Sequence, residues 1–147
     1  MKEEVENSIP SRFAKIARRY PDRPAVKTAN RILTYAELDT LSNRVAWALL
    51  AQRKNEPECV GLLLQKDAPL MASMLGVLKA GKFFVLLDPS FPKARIATML
   101  EDSEARWVIA GRRHASMAKE AARGGSRLLD FESIHSTISA EDLKPDI

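Results

Sequence analysis

Pro69-Leu-Met-Ala-Ser-Met-Leu-Gly-Val-Leu-Lys-Ala80, then Gly81-Lys82, then Phe83-Phe-Val-Leu-Leu87 follow one another without a break, and this stretch decides the fold. A helical pattern opens near a proline, where a missing N–H costs nothing, and stops at a glycine placed for a left-handed cap. An apolar run too short for a helix comes next. The cycle repeats on both sides. Cys59 to Leu64 reads as the strand before it. The turn Asp88-Pro89-Ser90 and a helix from Pro92 to about Asp102 follow it, then a strand Arg106 to Ala110, a helix Ala115 to Ala122 and a fourth strand Leu128 to Phe131. Continuous apolar strands joined by helices define an α/β class: a doubly wound, mostly parallel sheet with helices on both faces.

Upstream, Ile9, Phe13, Ile16, Ala17 and Tyr20 recur at helical steps until Pro21. An N-terminal helix is predicted there. Ala25 to Lys27 and Arg31 to Leu33 read as a short hairpin around Thr28-Ala29-Asn30. In Leu33-Thr-Tyr-Ala-Glu-Leu38, Thr34 and Glu37 have capping-box spacing, and Leu33 and Leu38 sit where a hydrophobic staple closes a helix entry. A long helix follows, with Leu38, Leu41, Val45, Ala48 and Leu49 on one face, fading near Gln52 to Asn55.

A chain of 147 residues, 46% hydrophobic and 29% charged, has the composition of one globular domain and excludes disordered and fibrous classes. No apolar run approaches the roughly 20 residues that cross a bilayer. The polar start Met1 to Ser8 leads into no apolar segment, so a cytoplasmic protein with no membrane partner is expected. Cys59, the single cysteine, sits in an apolar run as a small core residue. His114 and His135 have no neighbours at ligand spacing, so no metal site is assigned. The net charge of +4 is concentrated in Arg106, Arg112, Arg113, Lys119, Arg123 and Arg127. Without interleaved aromatics this run reads as a solvated helix face, and no nucleic-acid partner is expected.

Gly76-Val-Leu-Lys-Ala-Gly81-Lys82-Phe83 nearly spells a phosphate-binding loop. It has Phe83 where a hydroxyl should reach the metal, and its helix precedes the strand, so a helix C-terminus faces the loop. Asp88 ends a strand as a phosphate-accepting aspartate would, yet the preceding strand leads only into Gln65-Lys66-Asp67, so Asp88 reads as a turn residue. No serine lies in a Gly-x-Ser-x-Gly elbow. Gly124-Gly125-Ser126 reads as a connection. On these grounds no catalytic, cofactor-binding or metal-binding residue is assigned.

Leu33-Thr-Tyr-Ala-Glu-Leu38 and the run Leu78 to Arg95 resemble the first two core motifs of the amino-acid adenylation domains of nonribosomal peptide synthetases, within the acyl-adenylate-forming, AMP-binding ligase superfamily. Phe13 with Pro21 to Val26 resembles the family's opening, and Met99 to Ser103 with Val108-Ile109 its next helix and strand. Within the second motif this chain has Phe83 where the family usually has Ala, Phe84 where it usually has Tyr, and Leu86 where Pro is common.

The resemblance implies that residues 1–147 form the N-terminal portion of a larger adenylation-domain fold, ending before the family's phosphate loop. The parent domain would use ATP and Mg to form an aminoacyl adenylate and pass the acyl group to a carrier-protein thiol. Its partners would be the remainder of the domain and a carrier protein. The nucleotide-binding and catalytic motifs lie beyond this stretch, so the isolated chain is expected to be inactive, to carry no cofactor of its own and to be able to self-associate. The alternative is a freestanding, non-catalytic α/β binding or interaction module.

Overall fold

The computed structural model describes residues 9–27, 32–51, 58–65, 67–122 and 125–137. Helix α1 (Ile9–Arg19) leads into an antiparallel pair, β1 (Pro24–Lys27) and β2 (Ile32–Thr34). Helix α2 (Tyr35–Leu50) follows, and then strand and helix alternate: β3 (Cys59–Leu63), α3 (Ala68–Lys79), β4 (Phe83–Leu86), α4 (Lys93–Asp102), β5 (Trp107–Ala110), a 3₁₀ turn (Arg112–His114), α5 (Ala115–Ala122), β6 (Arg127–Asp130) and α6 (Phe131–Thr137). The hairpin turn expected at Thr28 to Asn30 and the fading helix end at Gln52 to Asn55 lie outside the described residues.

The four later strands form one sheet in the order β4-β3-β5-β6, every neighbour parallel. Strand periodicity sorts the side chains onto two faces. Val60, Leu62, Trp107 and Ile109 join a core with α2, α3 and α6. Cys59, Leu63, Val108 and Ala110 join the opposite core with α4 and α5. The expected doubly wound sheet is therefore present, as part of a larger fold.

The start of α2 is built as its sequence requires. Thr34 Oγ1 accepts from the Glu37 N–H at 3.2 Å, and Glu37 Oε1 accepts from the Thr34 N–H at 3.0 Å. Both groups satisfy donors that a helix leaves orphaned. Leu33 and Leu38, the staple pair, are buried beneath them. The helix α3 begins with Asp67 as cap, its Oδ1 accepting from the Ala68 N–H at 2.7 Å, and ends before Gly81 at φ +75°, a conformation that glycine alone adopts freely.

Four expectations are corrected. Strand β6 ends at Asp130, and Phe131 opens α6, a helix missed in the sequence: Asp130 Oδ1 accepts from the Glu132 N–H, and Phe131 and Ile134 are buried on one helical face. In α1 only Ala17 is fully buried, while Ile9 and Ile16 are exposed. The strand β4 is not buried throughout: among the described residues it lies at the sheet edge, with Phe83 and Leu86 exposed. The basic run is not one helix face, because Arg106 and Arg127 lie at the N-terminal ends of β5 and β6, Arg112 and Arg113 at the opposite end of β5, and Lys119 on α5.

Candidate functional site

The near phosphate-loop spelling resolves into three separate structural tasks. Gly76 is where α3 crosses α2: a Cβ built on it would lie 2.5 Å from Val45 Cβ and 2.7 Å from the Ser42 carbonyl oxygen. Gly81 is the helix stop. Lys82 is buried, with Nζ donating to Glu58 Oε1 at 2.9 Å, an ion pair that ties the start of β4 to the residue preceding β3. A helix precedes the loop and a strand follows it, so the positive end of a helix dipole does not point there.

Asp88 folds back on its own turn, Oδ1 accepting from the Ser90 N–H at 2.9 Å and from Ser90 Oγ at 2.8 Å. Asp67, the carboxylate at the end of β3, is occupied as the α3 cap, and Lys66 lies outside the described residues. In the glycine connection, Ser126 Oγ donates to the Ala105 carbonyl at 2.6 Å and the Gly125 N–H to the Ala122 carbonyl; Gly124 is outside the described residues. His114 is half-buried in the 3₁₀ turn. His135 lies in α6 with its side chain outside the described set. Among the described residues no three His, Cys, Asp or Glu side chains are grouped as a metal ion requires. The exposed Arg127 stacks its guanidinium 5.6 Å from the centre of the Trp107 ring.

One polar cluster went unread in the sequence. Lys79 is buried, and its Nζ donates to Asp39 Oδ1 at 2.6 Å, Ser42 Oγ at 2.7 Å and Asn43 Oδ1 at 2.8 Å, with the Phe13 ring centre at 5.2 Å. Ser42 Oγ in turn donates to the Asp39 carbonyl. A single ammonium thereby joins α1, α2 and α3. Burial lowers the Lys79 pKa below its usual range, and the hydrogen bond and charge of Asp39 oppose that shift. Its three strong acceptors leave the cation no free valence for a substrate. The available signal was spacing: Asp39, Ser42 and Asn43 lie on one side of α2 at steps of three and four. Cys59 is buried as expected, with its thiol pKa raised by burial and lowered in smaller part by a hydrogen bond with Ser103.

These features define a doubly wound α/β unit in which Lys79, Lys82, Asp67 and Asp88 are bonded to neighbouring groups of the chain itself. The chain belongs to the AMP-binding enzyme family, whose pattern matches residues 13–146. It is 38% identical over 110 residues to surfactin synthase subunit 2 of Bacillus subtilis (strain 168), covering 75% of this chain and 3% of that protein. It is 36% identical over 126 residues to N-(5-amino-5-carboxypentanoyl)-L-cysteinyl-D-valine synthase of Amycolatopsis lactamdurans, covering 85% of this chain and 3% of that protein. Among solved structures, the AMPPNP-bound form of the nonribosomal peptide synthetase FmoA3 superposes with a TM-score of 0.80 at 29% identity, over 93% of this chain and 14% of that one. The N-terminal subdomain of Klebsiella oxytoca NpsA shares the fold at a TM-score of 0.75 and 22% identity, over 90% of this chain and 33% of that one. The chain thus spans about 3% of the length of these synthetase relatives, and it resembles adenylation domains over most of its own length. No helix among the described residues is long and apolar enough to cross a membrane.

Proposed function

We propose that this chain supplies the N-terminal part of an adenylation domain that joins ATP to an amino-acid carboxylate, giving an aminoacyl adenylate and pyrophosphate, and then passes the acyl group to a carrier-protein thiol. The observation that carries this reading is the match of residues 13–146 to AMP-binding enzymes, with nonribosomal peptide synthetases among the relatives. The AMPPNP-bound form of FmoA3 supports ATP as the substrate by similarity.

In that reaction the residues of this chain act as a scaffold. The Lys79 cluster and the Gly76 crossing set the helix layer, and the capped entry of α2 fixes its start. Stabilising a transferring phosphate needs donors and cations aimed at it. Here Lys79 and Lys82 are each buried against carboxylates of the chain itself. Among the described residues no three His, Cys, Asp or Glu side chains are grouped around a common point, and no step is assigned to them. The isolated chain is expected to be inactive.

The test is amino-acid-dependent exchange of pyrophosphate into ATP, run on the chain alone and on the chain fused to the segment that follows the matched region in surfactin synthase subunit 2. Exchange by the fusion and none by the chain alone is expected. A folded fusion inactive with every proteinogenic amino acid, or activity in the chain alone, overturns the reading.

A further inference from the structure

The groups gathered where α1, α2 and α3 meet share one chemical property. Asp39 Oδ1, Ser42 Oγ and Asn43 Oδ1 lie 2.6, 2.7 and 2.8 Å from Lys79 Nζ, with the Asp39 carbonyl at 3.5 Å and the centre of the Phe13 ring at 5.2 Å. Each of them is an acceptor, the ring through its negative face. Ser42 Oγ has one proton, and it donates that proton to the Asp39 carbonyl at 2.9 Å. Its lone pairs are thereby left for a donor at the Nζ position.

The oxygens belong to α2 alone. Asp39, Ser42 and Asn43 stand within its first turns, just downstream of the Thr34 and Glu37 capping box. The helix therefore sets their positions, whereas Lys79 arrives from the last turn of α3. Ser42 and Asn43 are buried, and Asp39 keeps 34% of its side chain exposed, which gives the cluster an opening to solvent. An apolar occupant would leave these acceptors facing one another without a donor. A guanidinium is a planar fork and cannot converge on them, while an ammonium carries three N–H groups on a single nitrogen. The arrangement thus selects a charge and a donor geometry together.

We propose that the junction of α1, α2 and α3 is a binding site for a primary ammonium group, with its ligand supplied by Lys79 of the same chain. The acceptors on α2 recognise the R–NH3+ head, and the lysine stem acts as a tether. A small alkylammonium ion should then occupy the site once the tether is cut. Lys79→Ala deletes Cγ, Cδ, Cε and Nζ, which are the heavy atoms of n-propylammonium. This assignment does not depend on the proposed activity.

The experiment is urea denaturation of the 147-residue chain and of Lys79→Ala at neutral pH and constant ionic strength. Each is measured with n-propylammonium, with tetramethylammonium, which has the charge but no N–H, and with 1-propanol, which has the stem but no charge. Propylammonium should raise the Lys79→Ala midpoint, the folded-to-unfolded ratio gaining about tenfold at roughly nine times the dissociation constant. Wild type, with its site filled, should show no such gain. In Asp39→Asn/Lys79→Ala, at least tenfold more propylammonium should be needed for the same rise. A ligand of the native state also draws an unfolded chain back, so Lys79→Ala is informative even if it is unfolded in buffer. Wild type supplies a second readout: the Nζ protons of Lys79 should exchange with water at least tenfold more slowly than those of the exposed Lys15 and Lys119, measured by 15N-resolved NMR. Equal rescue by 1-propanol or tetramethylammonium overturns the proposal, since only a cavity or a bulk charge would then matter. It falls equally if propylammonium leaves Lys79→Ala unchanged, if the double variant responds as the single one does, or if the Lys79 protons exchange as fast as those of Lys15.

Discussion

Lys79 Nζ lies 2.6 Å from Asp39 Oδ1, and this ion pair bolts together the two stretches of sequence that carry the family resemblance. Asp39 follows Leu33 to Leu38 directly, and Lys79 stands at the head of Leu78 to Arg95. The contact spans α2 and α3, so the two stretches share one structural task.

Replacing Lys79 by Met should therefore be costly. A buried ion pair broken from one side leaves its partner desolvated and unmatched, at about 3–5 kcal/mol. Because Asp39 is partly exposed, a loss near the lower end, about 3 kcal/mol, is expected. Urea denaturation would measure it, and a midpoint equal to wild type would show that the cluster is dispensable.

The same lysine predicts a pH dependence. Its folded pKa is depressed by burial, so the unfolded chain binds more protons in the window just below the ordinary lysine pKa. Stability should rise with pH through that window. Cys59 acts with the opposite sign: its folded thiol holds a proton above the ordinary cysteine pKa, so its contribution is intact below that value and lost as pH climbs past it. Stability curves of wild type, Lys79→Met and Cys59→Ala separate the two slopes. An unchanged rise in Lys79→Met would refute the assignment.

Thr34→Ala removes the cap of α2 and should cost about 1 kcal/mol. Thr34→Ser keeps the hydroxyl and should restore most of it. The readout is the thermal midpoint of each variant, and equal midpoints for all three proteins would count against the cap.

Gly76→Ala should destabilise the fold even though alanine favours helices by about 1 kcal/mol over glycine. The new methyl would meet Val45 Cβ at 2.5 Å and the Ser42 carbonyl at 2.7 Å, and backbone cannot yield as a flexible side chain can. Overpacking of this kind costs about 1–3 kcal/mol. Val45→Ala should not rescue it, because the nearest atom is a Cβ that alanine retains. A stabilised Gly76→Ala protein would mean that the helices separate freely.

How legible was all this in the chain? Elements with local determinants were read closely: Thr34 with Glu37, Pro69 with Gly81, and Asp88 with Ser90 each announce a cap, a stop or a turn within a few residues. The helix α6 was lost because Phe131 suits a strand as well as a helix, and only the Asp130 cap decides between them. The Lys79 cluster joins residues far apart in sequence, so no local pattern could reveal its burial. The solvent-facing side of β4 was hidden for a related reason. An apolar run shows what could be buried, while only the strand order shows what is left without a neighbour.

The strand order also carries a kinetic consequence. Pairing Val60 with Phe84, or Trp107 with Arg127, closes a loop between consecutive strands, whereas pairing Val60 with Trp107 must bridge the whole of α3, β4 and α4. That loop is about twice as long, adding roughly 0.6 kcal/mol of closure entropy. It also demands that two separately collapsed units meet in register. The seam between β3 and β5 is thus where a refolding chain should hesitate, and substitutions at Leu62 or Ile109 should slow the approach to the native state more than equally destabilising ones in the outer strands.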